Sequence, residues 1–314
     1  MTTRHTDCHR SLRTLSLVLI ALPCSAQAQE IVTWGPNDPA WIPRLGLTEI
    51  ELGCSGAPAP CMRVLASAMA TQKVSRWVLS MTEEPDKAPS YSLAYGAESL
   101  KDPRIVGVSI DDFILSYSRW MANKAVNAPA LIHSVIDNLH SQNPSLEFGI
   151  TLYEDELSSS VVASLPASAR AGVDRVSLYV RARPSEPDYA RFVEQTRTLF
   201  PNASIWGGSY VYDRIDYWPC NSDGTKCTAE QQQQLYSRSI DIQASMLKHR
   251  AIQGIEFYPG GFGQEDGWHG WNNPKICRPE RRQECVKNTK ALRAIAIDAL
   301  NRYGFIHAPG PTQD

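Results

Sequence analysis

From residue 31 onward, short runs of apolar and β-branched residues alternate with segments whose apolar positions recur every three or four residues. The short runs are Ile31–Gly35, Thr48–Leu52, Arg76–Met81, Ile105–Phe113, Leu146–Tyr153, Val173–Arg181, Ala203–Tyr212 and Gln253–Tyr258. The helical pattern occupies Met62–Val74, Tyr91–Leu100, Leu131–His140, Val161–Ala171, Asp188–Phe200, Glu230–Arg250 and Val286–Tyr303, with only the short Pro39–Gly46 between the first two runs. Strands separated by helices pair in parallel, because a parallel neighbour is reached only through a long crossover. Eight such units within 314 residues have the size and rhythm of an α/β (β/α)8 TIM barrel. The rival is an open doubly wound sheet. Its dinucleotide-binding version would carry a G-x-G-x-x-G run after the first strand, and none is present. There is no linker, low-complexity tract or internal repeat, so residues 29–314 read as one domain.

Within each strand the apolar residues fix which side chains face the helices, and the alternate set must face the barrel axis. Val106, Val108 and Ile110 face outward, leaving Gly107, Ser109 and Asp111 inward. Ile50 and Leu52 leave Glu49 and Glu51 inward, and Phe148, Ile150 and Leu152 leave Gly149, Thr151 and Tyr153. Val176, Leu178 and Val180 leave Ser177, Tyr179 and Arg181, while Ile255 and Phe257 leave Gly254, Glu256 and Tyr258. An ordinary barrel interior is filled with branched aliphatics. This one carries charges, and charges taken out of water must be paired or used. Glu51, Asp111, Arg181 and Glu256 fall toward the C-terminal strand ends, where barrel enzymes place their chemistry. The structural alternative is a set of buried ion pairs, for example Arg181 with Glu256.

Asp111-Asp112 is the sharpest local feature. Alternation points one carboxylate inward and the other toward the loop, and adjacent acids raise each other's pKa, which suits acid–base work. Asp112 could instead cap the next helix or pair with Arg119. Glu154-Asp155-Glu156 ends the fifth strand, as a further source of a catalytic carboxylate or as a solvated acidic loop. Pro259-Gly260-Gly261-Phe262-Gly263 follows the last strand and would let a substrate approach the backbone. Aromatic residues crowd the loops of the same face: Tyr210, Tyr212, Tyr217 and Trp218 after strand seven, Trp268 and Trp271 beside His269 after strand eight, and Trp34 at the end of strand one. Singly each is ordinary packing; together they read as platforms for sugar rings.

The N-terminus changes the setting. Arg4, Arg10 and Arg13 precede the apolar run Leu15–Leu22, and Ala26-Gln27-Ala28 has the small-residue form of a cleavage site. Residues 1–28 therefore read as a signal peptide, and the expected location is secreted or periplasmic. No later apolar stretch is long enough to span a bilayer, so no membrane association is expected after cleavage. Lys+Arg is 31 against Asp+Glu 33, with no basic run, which argues against a nucleic-acid partner. Six cysteines remain after cleavage, in three close pairs. Bridges 54–61, 220–227 and 277–285 are the economical assignment, each bracing a loop on the site face. Without a C-x-x-C, zinc is not expected.

Gly107-Val-Ser-Ile-Asp111-Asp-Phe113 resembles the fourth-strand signature D-G-x-D-x-D-x-E of chitinases, within a chain that resembles secreted (β/α)8-barrel glycoside hydrolases. Ser109 stands where the signature has an inner Asp, and Phe113 where it has the acid Glu, so chitinase chemistry does not transfer. The resemblance implies a carbohydrate, an oligo- or polysaccharide, as substrate, and no cofactor. Glycosidic cleavage commonly uses two carboxyl groups across the bond. The candidates are Asp111 with Glu256, and Asp112 and Glu154 in reserve. Candidate substrate contacts are Glu51, Tyr153, Arg181, Tyr210, Tyr212, Tyr258, Trp268 and Trp271. A carbohydrate-binding protein on the same scaffold would keep the aromatics without a competent carboxylate pair. A metal-dependent phosphodiesterase would need His near the strand ends, where only His269 qualifies, since His133 and His140 lie within a helix. A serine esterase lacks any G-x-S-x-G.

Overall fold

A computed structural model describes residues 29–54, 57–81, 84–217 and 224–306. The signal-peptide reading of residues 1–28 lies outside them, as do Trp218 and Cys220. Eight parallel strands close into a barrel in sequence order. They are β1 (Glu30–Trp34), β2 (Leu47–Gly53), β3 (Arg76–Ser80), β4 (Ile105–Ile110), β5 (Glu147–Tyr153), β6 (Arg175–Tyr179), β7 (Ser204–Tyr210) and β8 (Gly254–Tyr258). The ring is sealed by β1 against β8, with Val32 level with Glu256.

Each strand is followed by helix. The helices are α1 (Trp41–Arg44), α2 (Pro58–Thr71), α3 (Ala88–Ser99), α4 (Phe113–Ala122), α5 (Ala128–Gln142), α6 (Ser160–Ser164), α7 (Ala167–Ala171), α8 (Tyr189–Leu199), α9 (Ala229–Lys248) and α10 (Arg282–Tyr303). The outward strand residues Val108, Ile110, Phe148, Ile150, Leu152, Val176, Leu178, Ile255 and Phe257 are buried against this layer and form the main core. Burying a side chain of this kind stabilises by roughly 1.5–3 kcal/mol. That alternation therefore sets the register of these strands, since a one-residue slip would turn the whole set inward.

Two local readings change. The run Ile105–Phe113 is too long for a strand: β4 stops at Ile110, and α4 begins at Phe113, with Phe113, Ile114, Tyr117 and Trp120 buried on one face. The segment Val161–Ala171 is two short helices divided at Pro166, a residue poorly tolerated inside a helix. Disulfides Cys54–Cys61 and Cys277–Cys285 are formed as expected. Cys227 is disulfide-bonded as well; the expected partner, Cys220, is outside the described residues. Among the described residues no helix is long and apolar enough to cross a membrane, and the disulfides fit an extracellular protein.

The barrel interior is polar, as the alternation predicts, but its ion pairs differ from the example suggested by sequence. Arg175 is the central cation. It is buried and bonds both Glu49 and Glu256, with its Nη2 donating to Glu256 Oε2 at 2.9 Å. Its guanidinium lies 3.9 Å from the centre of the Trp206 ring. Arg175 sits two residues before Ser177 on the same inward face; the sequence reading of this strand began at Ser177 and missed it, although the same alternation extended by two residues would have found it. Glycine makes the room for the interior rings. A Cβ at Gly208 would lie 2.3 Å from the Tyr179 ring, and one at Gly254 would lie 2.3 Å from Trp206.

Candidate active site

A pocket of about 350 Å³ opens at the C-terminal ends of the strands. Its wall is largely aromatic: Trp34 from β1, Tyr153 from β5, Tyr179 from β6, Tyr210 from β7, Tyr212 and Tyr217 from the loop after β7, and Tyr258 from β8. The rings form a continuous band. Tyr179 and Tyr210 centres are 4.9 Å apart, Tyr210 and Tyr258 5.8 Å, and Tyr258 and Trp34 6.1 Å. Into this band project Asp111, Asp112, Thr151 and Arg181.

Both adjacent carboxylates line the pocket, where strand alternation would have separated them. The cause is Asp112, whose φ of 46° and ψ of 43° place it in the left-handed region. Leaving the extended conformation there breaks the alternation and brings the second side chain back over the same opening. Asp and Asn tolerate this conformation better than most residues. The Asp112 carboxylate does not cap α4. It accepts the Tyr153 hydroxyl at 2.7 Å and lies 3.7 Å from Arg181. Asp111 Oδ1 accepts the backbone N–H of Asp112 at 2.9 Å. Burial, with Asp112 beside it, pushes the Asp111 carboxyl up to about 6. Such a group holds and releases a proton near neutral pH, which general acid–base catalysis needs.

The other carboxylates are engaged by the protein. Glu256 lies beneath the pocket floor, fully buried. It takes hydrogen bonds from Ser177 Oγ at 3.0 Å and Tyr179 OH at 2.7 Å as well as from Arg175. Glu51 is buried too and accepts the Ser109 hydroxyl; burial first, and then the neighbouring Glu256, raise its pKa well above the carboxylate range. Glu154 is not a solvated loop residue. Its carboxylate accepts the backbone N–H groups of Arg181 at 2.7 Å and Ala182 at 2.9 Å, tying the end of β5 to that of β6. Glu156 accepts the Tyr153 N–H at 3.1 Å and approaches Arg181 at 3.3 Å; burial pushes it up to about 7 despite that cation. Only Asp155 of the acidic triplet is exposed.

Arg181 lies over the Tyr153 ring at 3.5 Å, with Asp155 at 3.2 Å. Trp268 and Trp271 stand behind the aromatic band. Trp268 packs on Tyr212 at 5.1 Å and on Trp271 at 4.6 Å, and Trp271 donates its indole N–H to the Glu265 carbonyl. With Tyr212 and the Cys277–Cys285 bridge they form a separate small core that props the pocket wall. His269 is exposed on the same loop and does not line the pocket. The one grouping of metal-ligand residue types among the described residues is Asp216 with Cys277 and Cys285. Those cysteines are joined to each other, so they offer no thiolates.

No family model matches this chain, and no curated protein matches it in sequence. Solved structures do match in fold. The chain has the fold of glycosidase TIM barrels. GH5_18 from Streptomyces cattleya in complex with GlcNAc superposes with a TM-score of 0.57 at 11% identity, over 91% of this chain and 83% of the other. The exo-β-1,4-mannosidase Op5Man5 from Opitutaceae bacterium strain TAV5 gives a TM-score of 0.53 at 8% identity, over 87% of this chain and 60% of that one. A β-glucuronidase of Bacteroides uniformis gives 0.51 at 11% identity, over 74% of this chain and 30% of the larger protein.

Proposed function

We propose that this chain is a secreted glycoside hydrolase acting on a carbohydrate, with Asp111 as proton donor and Asp112 as its companion carboxylate. The observation that carries the reading is the Asp111 carboxyl, raised to about 6, opening beside Asp112 into an aromatic pocket at the C-terminal rim. A protonated carboxyl can protonate a departing glycosidic oxygen. Asp112, held by the Tyr153 hydroxyl, is placed to support positive charge on the sugar or to activate water. Aromatic faces suit the C–H faces of pyranose rings. Glu256 and Glu154 belong to the support in this reading, because protein donors already occupy their oxygens. The chemistry calls for no cofactor.

A second reading, a carbohydrate-binding protein, draws on that same engagement of Glu256 and Glu154, which leaves a single pair of adjacent acids in the pocket. The test is a screen of the purified mature protein against oligo- and polysaccharides for newly released reducing ends, with Asp111→Asn alongside. Release that is lost in the variant supports the hydrolase. Depletion of glycan from solution without product identifies a binding protein. We take residues 1–28 to be removed on export; mass spectrometry of the secreted protein should find Gln29 at the N-terminus.

A further inference from the structure

The charge balance of the pocket names a class of sugar. Among the described residues lining it, Arg181 is the single cation, and Asp112 is the acid left to carry charge, Asp111 being the proton donor of the reading above. The Arg181 charge is already shared: Asp155 lies at 3.2 Å and Glu156 at 3.3 Å, both nearer than Asp112 at 3.7 Å. Its flat face is covered by Tyr153. Arg214, the next cation, lies behind the Tyr210 ring and donates to the carbonyls of Val180 and Arg181. The Asp112 side chain retains 41% of its exposure and faces the opening. An open carboxylate within a band of tyrosine and tryptophan rings is the combination that receives an ammonium group, through a charge-assisted hydrogen bond on one side and cation–π attraction on the others. An anionic sugar would meet the reverse arrangement, with no uncommitted guanidinium to receive it.

Building on the glycosidase reading above, we infer that this pocket takes an amino sugar with a free ammonium group, in preference to its N-acetylated or neutral counterpart. The ammonium lies against Asp112 and the aromatic band, and the ring below it presents its glycosidic oxygen toward Asp111.

The test is calorimetric titration of the mature protein with a β-1,4-linked glucosamine tetramer, its fully N-acetylated counterpart and cellotetraose, and with galactosamine beside N-acetylgalactosamine. At least one free-amine sugar should bind at least 10-fold more tightly than its acetylated or neutral partner, and the preference should shrink as salt is raised. Asp112→Asn keeps an acceptor for Tyr153 and suits the left-handed backbone, but removes the charge. In that variant the preference should fall about 10- to 100-fold, the value of a hydrogen bond to a charged group. Equal or tighter binding of the acetylated and neutral sugars, no binding of any sugar tested, or a preference that is insensitive to salt and survives in Asp112→Asn, overturns the inference. Release of reducing ends from neutral glycans without preference would overturn it while leaving the hydrolase reading intact. Tight binding of a free-amine sugar that is never cleaved would do the opposite.

Discussion

Replacing Asp111 with Asn should abolish turnover and, at neutral pH, make the protein more stable. Asp111 has an ordinary pKa near 3.8 and is pushed up to about 6 in the folded chain. Each unit corresponds to about 1.4 kcal/mol, so its ionised form costs the native state about 3 kcal/mol relative to the unfolded chain. The sign follows from proton counting. Between pH 4 and 6 the native state binds more protons than the unfolded state, so stability is fully present below the unfolded pKa and is lost as pH rises through 6. Asn removes that loss. Its Oδ1 can still accept the Asp112 N–H, a contact of 2.9 Å in the parent. Urea unfolding at pH 8 should therefore show a gain of up to about 3 kcal/mol, which at roughly 2–4 °C per kcal/mol is also visible in the melting temperature. At pH 3.5 the gain should vanish. Activity should fall by about 10²–10⁴, the usual effect of losing a general acid. A loss of about 3–5 kcal/mol at pH 8, with specific activity retained, would mean that Asp111 balances a buried cation and would refute the reasoning.

Other substitutions separate the pocket from its support. Glu256→Gln removes one of the two carboxylates on Arg175 and should destabilise by about 3–5 kcal/mol in urea unfolding; an unchanged midpoint would contradict the buried network. Tyr153→Phe deletes the hydroxyl bond to Asp112 and should lower kcat/KM on a cleaved glycan about 10- to 100-fold; a normal rate would remove Tyr153 from the site. Replacing Cys277 and Cys285 together by Ser opens a short loop and should cost about 2–3 kcal/mol. Because that bridge packs with Tyr212 and Trp271, sugar affinity should weaken in parallel, as read by titration.

The barrel was legible because β2, β4, β5, β6 and β8 each carry an unbroken apolar set, and burial permits a single phase for them. The same phase placed Asp111, Tyr153, Tyr179 and Tyr258 on the axis side, and they meet in one pocket. What alternation could not reach is the residue that abandons it. Asp112 leaves the extended region, and a carboxylate expected toward the loop comes back over the opening. The fates of Glu154 and Glu256 were also hidden. Whether an inward acid meets substrate or protein depends on partners 27 residues away for Glu154 and 81 for Glu256 along the chain, a matter of register between strands and not of local pattern. Trp268 and Trp271 look like binding platforms from composition alone, yet their rings prop Tyr212 from behind.

The missing side chain at Gly208 has a consequence for how this site can change over generations. The Tyr179 ring occupies the space a Cβ there would need, and that ring both faces the pocket and bonds Glu256. Any single step at position 208 therefore strikes the pocket wall and the buried charge network together. A smaller residue at position 179 must come first, and it would leave Glu256 short of a donor until something else supplied one. Positions 179, 208 and 256 are thus locked into a shared fate. A lineage seeking new specificity would find its accessible variation at the exposed rim positions Leu115 and Asn273, where exchange leaves the bond between Tyr179 and Glu256 untouched.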